Sequence, residues 1–197
     1  MSSAFVERGH NVTTVDNDPS FAPSICADVQ HFSTTEHYDV VLTGPPCEHF
    51  SLPVVGRNWT RRVTGKLTPR NDKAQQALTI VESVLRIVRE VRPVVWVMEN
   101  PRAILRKLPV VQGLETAYIT QCQYGRNTQK PTDLWGTISL LVEHGFTIRT
   151  CKAGSDCHDS APRGTRGERD SAKRSKVTYG LSLELCKTTE RIYNERV

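Results

Sequence analysis

The chain has 197 residues, 38% of them hydrophobic and 24% charged, and carries a net charge of +5. That length suits one domain with a real core, and no apolar run nears the about 20 residues needed to cross a bilayer. The opening MSSAFVERGH has no basic stretch followed by an apolar one, which excludes a signal peptide and makes the cytoplasm the expected location.

Residues 3–9 (SAFVERG) read as the end of a helix stopped by Gly9. Asn11 to Val15 alternate into a short strand that closes on the turn Asp16-Asn17-Asp18-Pro19, and Ile25 to Val29 form a second short strand around Asp28. Tyr38 to Thr43 is an apolar run that reads as a buried strand, at home in a parallel sheet. Residues 48–70 are polar, aromatic and basic and predict an exposed loop. From Asp72 to Val91, Ala77, Ile80, Val81, Val84, Leu85, Val88 and Val91 share one helical face, with Asn71 or Asp72 as cap and Arg92-Pro93 as stop. Val94 to Met98 is the next strand, and Ala103 to Leu108 a short helix. Residues 116–123 and 132–137 read as strands flanking Tyr124-Gly125. Ser139 to His144 is predicted helical, Phe146 to Cys151 extended, residues 152–176 loop, and a helix follows from Leu181. Strands alternating with helices argue for an α/β fold with a mostly parallel sheet.

Two strand ends carry chemistry. Gly44-Pro45-Pro46-Cys47-Glu48-His49-Phe50-Ser51 follows YDVVLT, and Glu99-Asn100-Pro101-Arg102 follows VVWVM. Two such strands joined by a long helix bring Cys47 and Glu99 to the carboxyl edge of one sheet, where open α/β sheets bind ligands. The prolines hold the thiol in a rigid turn, and a cysteine attacks as its thiolate. A carboxyl group at Glu99 would be partly desolvated, which raises its pKa and lets it donate a proton. A buried inert cysteine and a plain Glu-Asn-Pro turn are the bland alternatives for each motif alone; their pairing favours a site.

Pro-Pro-Cys followed in order by Glu-Asn resembles the DNA cytosine-5 methyltransferase family. The resemblance implies a Rossmann-like S-adenosylmethionine-dependent methyltransferase fold. It assigns Cys47 as nucleophile and Glu99 and Asn100 as the residues that contact the cytosine ring. Asp16 in VDNDP matches the family's ribose-binding acid, Asp28 in CADV the acid near the adenine, and Pro45 lies beside the cofactor. Tyr124-Gly125 with Gln129-Lys130-Pro131-Thr132-Asp133 resembles the later motif that begins with Gln, with Pro131 and Asp133 where the family has arginines. Arg174 to Leu181 resembles the final motif that folds back to the cofactor. By the same resemblance Pro46, His49, Phe50, Ser51, Arg57, Arg102 and Gln129 would meet the nucleic acid, with the loop at His49 to Ser51 covering a flipped base. Arg61, Arg62 and Lys66 are further candidates for phosphate contacts. A solvated surface would produce the same basic pattern.

Against the family pattern, the first strand and Gly-rich cofactor loop are missing, which predicts a gap between strands 11–16 and 38–43. The interval after the Gln motif is too short for a full recognition domain. The expected organisation is therefore an N-terminally incomplete catalytic domain over 1–137, a short recognition-like segment over 138–176 and a return segment over 177–197. The expected partner is DNA, acted on by a monomer in a prokaryotic or phage-infected cell, with no membrane and with a possible partner for sequence recognition. The alternatives are an enzyme acting on RNA or a free pyrimidine nucleotide, and an inactive nucleic-acid-binding remnant. Finally, six cysteines are scattered too thinly for a disulfide scaffold. Cys151, Cys157 and His158 form a C-x5-CH cluster to which Cys122 could add a fourth ligand in space. The spacing is wider than usual for zinc, and the expectation is no metal.

Overall fold

A computed structural model describes residues 1–61, 65–159, 173 and 175–196. Helix α1 (Ser3–Glu7) leads into β1 (Val15–Asp16) and β2 (Ile25–Cys26), which pair in parallel. Strand β3 (Val40–Thr43) ends at the Pro-Pro-Cys loop. A short helix α2 (Val55–Asn58) and the antiparallel hairpin β4 (Trp59–Arg61) and β5 (Leu67–Pro69) follow. Helix α3 (Asp72–Val91) begins where Asn71 Oδ1 accepts the Ala74 N–H and stops at Arg92, whose φ of 51° lies in the left-handed region. The remaining elements are β6 (Val95–Pro101), β7 (Thr116–Thr120), β8 (Pro131–Gly136), α4 (Ile138–Glu143) and α5 (Tyr179–Asn194).

The main sheet has the order β3-β6-β8-β7. Only β3 and β6 run parallel; β8 is antiparallel to both neighbours. The expected mostly parallel sheet is thus corrected to a mixed one. The connection from β7 to β8 holds no crossover helix, only a short 3₁₀ turn over Gln121–Tyr124, and a connection that short returns the chain antiparallel. Gly136 closes β8 against β6 so tightly that a Cβ there would lie 1.9 Å from the Trp96 carbonyl oxygen.

Alternation along the strands divides the core in two. Val95, Val97 and Leu134 pack with Phe5, Leu141, Leu181, Leu185 and Ile192, from α1, α4 and α5. On the opposite face, Met98 and Trp135 pack with Ala77, Val81 and Leu85 of α3 and with Phe50, Trp59 and Leu67. These last three correct the expected exposed loop over 48–70. Its aromatic residues are core residues, and Phe50 stacks on Trp59 at a centroid distance of 5.6 Å. The helix predicted over 103–108 is a 3₁₀ turn at Leu105–Lys107, and the strand predicted over 116–123 ends at Thr120.

The β1–β2 pair stands apart from the main sheet. Between β1 and β3 runs a cleft of about 1410 Å³, lined by Val15, Asp16, Asp28, Val40, Leu42 and Thr43 among others. The expected gap between these strands is present. It leaves β3 half-exposed along its length, where the sequence predicts a buried strand. Among the described residues no helix is long and apolar enough to cross a membrane.

Candidate active site

Parallel pairing sets the geometry. Thr43 is in register with Met98, so Gly44, the first residue past β3, lies beside Glu99, which continues in β6 opposite Leu134 of β8; a Cβ on Gly44 would sit 4.0 Å from Glu99 Oε2. Asn100, the next residue of β6, fastens the Pro-Pro-Cys loop to that strand, its Nδ2 donating to the Pro45 carbonyl at 2.9 Å in a buried position. The rigid Pro45-Pro46 step carries Cys47 over the same edge, where the thiol is half-buried.

Glu99 is 5% exposed and is held from two sides. Gln121 Nε2 donates to its Oε1 at 3.1 Å and also to Thr132 Oγ1 at 3.1 Å. Lys130 Nζ lies 3.4 Å from the same carboxylate oxygen and donates to the carbonyls of Ser175 and Lys176 at 3.3 and 3.2 Å. Burial pushes the Glu99 carboxyl up, and the Lys130 charge works against that shift. Burial likewise pushes the Lys130 ammonium down, opposed by Glu99. Burial thus disfavours the charged form of each partner, and the charge of each favours the charged form of the other. Lys130 adopts a φ of 34°, a left-handed backbone that costs a non-glycine residue about 1–3 kcal/mol and tends to persist where function needs it.

The Cys47 thiol is pushed up, first by burial and next by the Glu99 charge, while Lys130 pulls it down. At rest it is a thiol. Two buried acceptors, Asn100 Oδ1 and Gln121 Oε1, have no hydrogen-bond partner among the described residues, an arrangement that suits a polar ring with donors of its own.

Searches for relatives end in distant likeness. No family model matches the chain, and no curated protein does. Among solved structures, an E. coli protein described as a candidate DNA modification methyltransferase encoded within a prophage aligns with a TM-score of 0.44 at 17% identity. The alignment covers 68% of this chain and 41% of that one, a likeness too distant to establish a shared fold.

Several predicted site residues lie elsewhere than the rim of a base pocket. Phe50 is fully buried. His49 accepts from Trp59 Nε1 through its carbonyl at 2.7 Å and pairs with Glu48 at 3.1 Å. Ser51 Oγ donates to the Glu48 carbonyl. The Trp59 bond fastens the Cys47 loop to the β4–β5 hairpin, and the other two hold the loop's own turn. Arg102 donates to the buried Asp133 Oδ1 at 2.5 Å and stacks over the Tyr118 ring at 4.3 Å, so it is engaged inside the protein. Arg57, Arg61 and Lys66 are exposed on α2 and the hairpin; Arg62 and Arg174 lie outside the described residues.

Asp16 and Asp28 end β1 and follow β2 on one wall of the cleft, and each accepts a backbone N–H two residues on: Asp18 at 2.9 Å and Gln30 at 2.9 Å. Gly44, Pro45 and Pro46 line the opposite wall. Gln129 faces away from Glu99, donating to the Cys151 carbonyl at 3.1 Å. The cation beside Glu99 is instead its neighbour Lys130, and Gln121 was not singled out at all. The available signal was a Gln-Cys-Gln run breaking the apolar TAYIT strand. Cys122, Cys151, Cys157 and His158 come together beside this turn.

Proposed function

We propose that the chain methylates carbon 5 of cytosine in DNA through a covalent Cys47 adduct. The observation that carries this reading is the buried Asn100–Pro45 hydrogen bond, which ties the thiol loop to the strand that carries Glu99, whose carboxylate lies 3.4 Å from Lys130 Nζ. Carbon 5 of cytosine is a poor nucleophile. Addition of the Cys47 thiolate to carbon 6 breaks the aromaticity, and Glu99, as the acid, gives its proton or a hydrogen bond to ring N3. Asn100 Oδ1 and Gln121 Oε1 offer acceptors for the amino group on the same ring. Carbon 5, now nucleophilic, would take a methyl group from a sulfonium donor, which would leave as the neutral thioether; loss of the carbon 5 proton to a base would then break the sulfur–carbon bond, return the thiolate and release the N3 proton to Glu99.

S-adenosylmethionine, when bound, supplies an electrophilic methyl group. The donor set of the cleft fits it: Asp16 and Asp28 present carboxylates to ribose hydroxyls and an adenine edge, with Pro45 leading to Cys47. The target carbon lies inside the stack of duplex DNA, so the base must be flipped out. Arg57, Arg61 and Lys66 on the hairpin beside the Cys47 loop suit phosphate contacts on either side of it.

The open cleft between β1 and β3 favours a second reading, a protein that binds nucleic acid but holds the cofactor poorly. Transfer of a radiolabelled methyl group to duplex DNA, RNA and dCMP separates the two. The proposal expects label in DNA cytosine, reduced more than about a thousandfold by Cys47→Ser. Transfer to RNA or dCMP alone would move the substrate; DNA binding without transfer would favour the second reading.

A further inference from the structure

We propose that Cys122, Cys151, Cys157 and His158 bind one structural zinc ion. Their ligand atoms all lie within 4.8 Å of one another. Cys122 Sγ is 3.1 Å from Cys151 Sγ and 3.8 Å from Cys157 Sγ, and His158 Nδ1 is 3.6 Å from Cys151 Sγ and 3.3 Å from Cys157 Sγ. Tetrahedral zinc with about 2.3 Å to sulfur and about 2.0–2.1 Å to nitrogen places its ligand atoms roughly 3.5–3.8 Å apart. The four side chains already surround a point of that size. A disulfide between Cys122 and Cys151 would require about 2.05 Å between the sulfurs, well short of the separation here.

Chemistry selects the metal. Three thiolates and one imidazole in a closed four-ligand set favour zinc over hard cations, which take oxygen ligands. Each cysteine gives up its proton on binding. Gln129 Nε2 reaches Cys151 Sγ at 3.5 Å, a neutral donor placed to support a charged sulfur ligand. The other cluster of liganding side chains, His10, Cys186 and Glu190, differs in this respect. Arg8 occupies its carboxylate with two hydrogen bonds at 2.8 and 2.6 Å, so a cation is already in place there.

The location gives the ion its role. Cys122 sits in the turn next to Gln121, which holds Glu99, and the Cys151 carbonyl accepts from Gln129, the residue preceding Lys130. Cys157 and His158 lie on a separate loop. Zinc would tie that loop to the turn, and so fix the wall that orients Glu99. The cluster is visible in the sequence, but its wide spacing, with 122 far from 151 and with 157 adjacent to 158, sets the expectation there against a metal.

The test uses the full chain, purified without chelator or nickel resin, with metal content measured by mass spectrometry. The expected result is about one zinc per chain. Refolding in cobalt should give the visible absorption of a tetrahedral thiolate site, and a strong chelator should lower the melting temperature. Cys122→Ser and Cys157→Ser should each lose the metal, whereas Cys26→Ser, an exposed cysteine outside the cluster, should keep it. A folded wild-type protein that carries no zinc and takes up no cobalt would overturn the proposal even where the variants fail to fold. So would peptide mapping that finds Cys122 and Cys151 joined as a disulfide in that protein. None of these readouts depends on methyl transfer.

Discussion

At the level of single residues, Cys47 and Glu99 are set against each other by their surroundings. Burial and the Glu99 charge both raise the thiol, and Lys130 opposes them. A raised thiol must be deprotonated to attack, so methyl transfer is expected to climb as pH rises toward and beyond the ordinary thiol value of 9.0. Glu99→Gln removes the charge that raises the thiol after burial does, so the Cys47 pKa should fall. The variant should therefore react faster with iodoacetamide at pH 8 while transferring methyl groups more slowly, because N3 loses its acid. Equal alkylation rates in the two proteins would separate Cys47 electrostatically from Glu99. Of this arrangement the sequence showed the two strand-end motifs, because each follows an apolar run that ends abruptly in proline or acid. It did not show Lys130, since a lysine in a polar turn usually means solvent. Pro131 and Asp133 stand where the resemblance expects arginines, and the cation beside Glu99 is the residue before them, Lys130.

Among elements, periodic and capped segments were legible and long-range ones were not. Helix α3 runs over the predicted Asp72–Val91, because one apolar face and an Asn71 cap are local features. The 48–70 segment was hidden because Phe50, Trp59 and Leu67 become core only against α3, more than twenty residues from Phe50. Strand β8 was placed correctly, but its direction depends on which edge its hairpin joins, and that is not written locally. The two ends of the described chain meet through α1 and α5. Arg8 donates to both Glu190 oxygens, and His10 lies 3.0 Å from one of them. Pairing with Arg8 holds the Glu190 carboxyl down at about 2, against an ordinary 4.5. A depressed carboxylate contributes stability above its unfolded value and loses it as pH falls through the folded one. The melting temperature should therefore fall between about pH 4.5 and about pH 2. In Glu190→Gln that acid-dependent part should disappear; an unchanged slope would mean that the α1–α5 tie carries no stability.

For the whole molecule, a mixed sheet places a thiol loop, a buried glutamate–lysine pair and a basic hairpin around one edge, and an open cleft lined by two aspartates beside it. The separation of β1 from β3 is the feature that most distinguishes this fold from a continuous sheet. The Cys47–cytosine bond is the central claim. A cytosine with fluorine at carbon 5 can be attacked at carbon 6, but it cannot release a proton afterwards, so the sulfur–carbon bond stays closed. Incubation with S-adenosylmethionine and duplex DNA containing 5-fluorocytosine should give a denaturation-resistant protein–DNA complex. Peptide mapping should place the DNA on Cys47, and Cys47→Ser should form none. Methylation of ordinary DNA at the same rate by Cys47→Ser, or turnover on ordinary DNA without any trapped complex on the fluorinated duplex, would contradict the account.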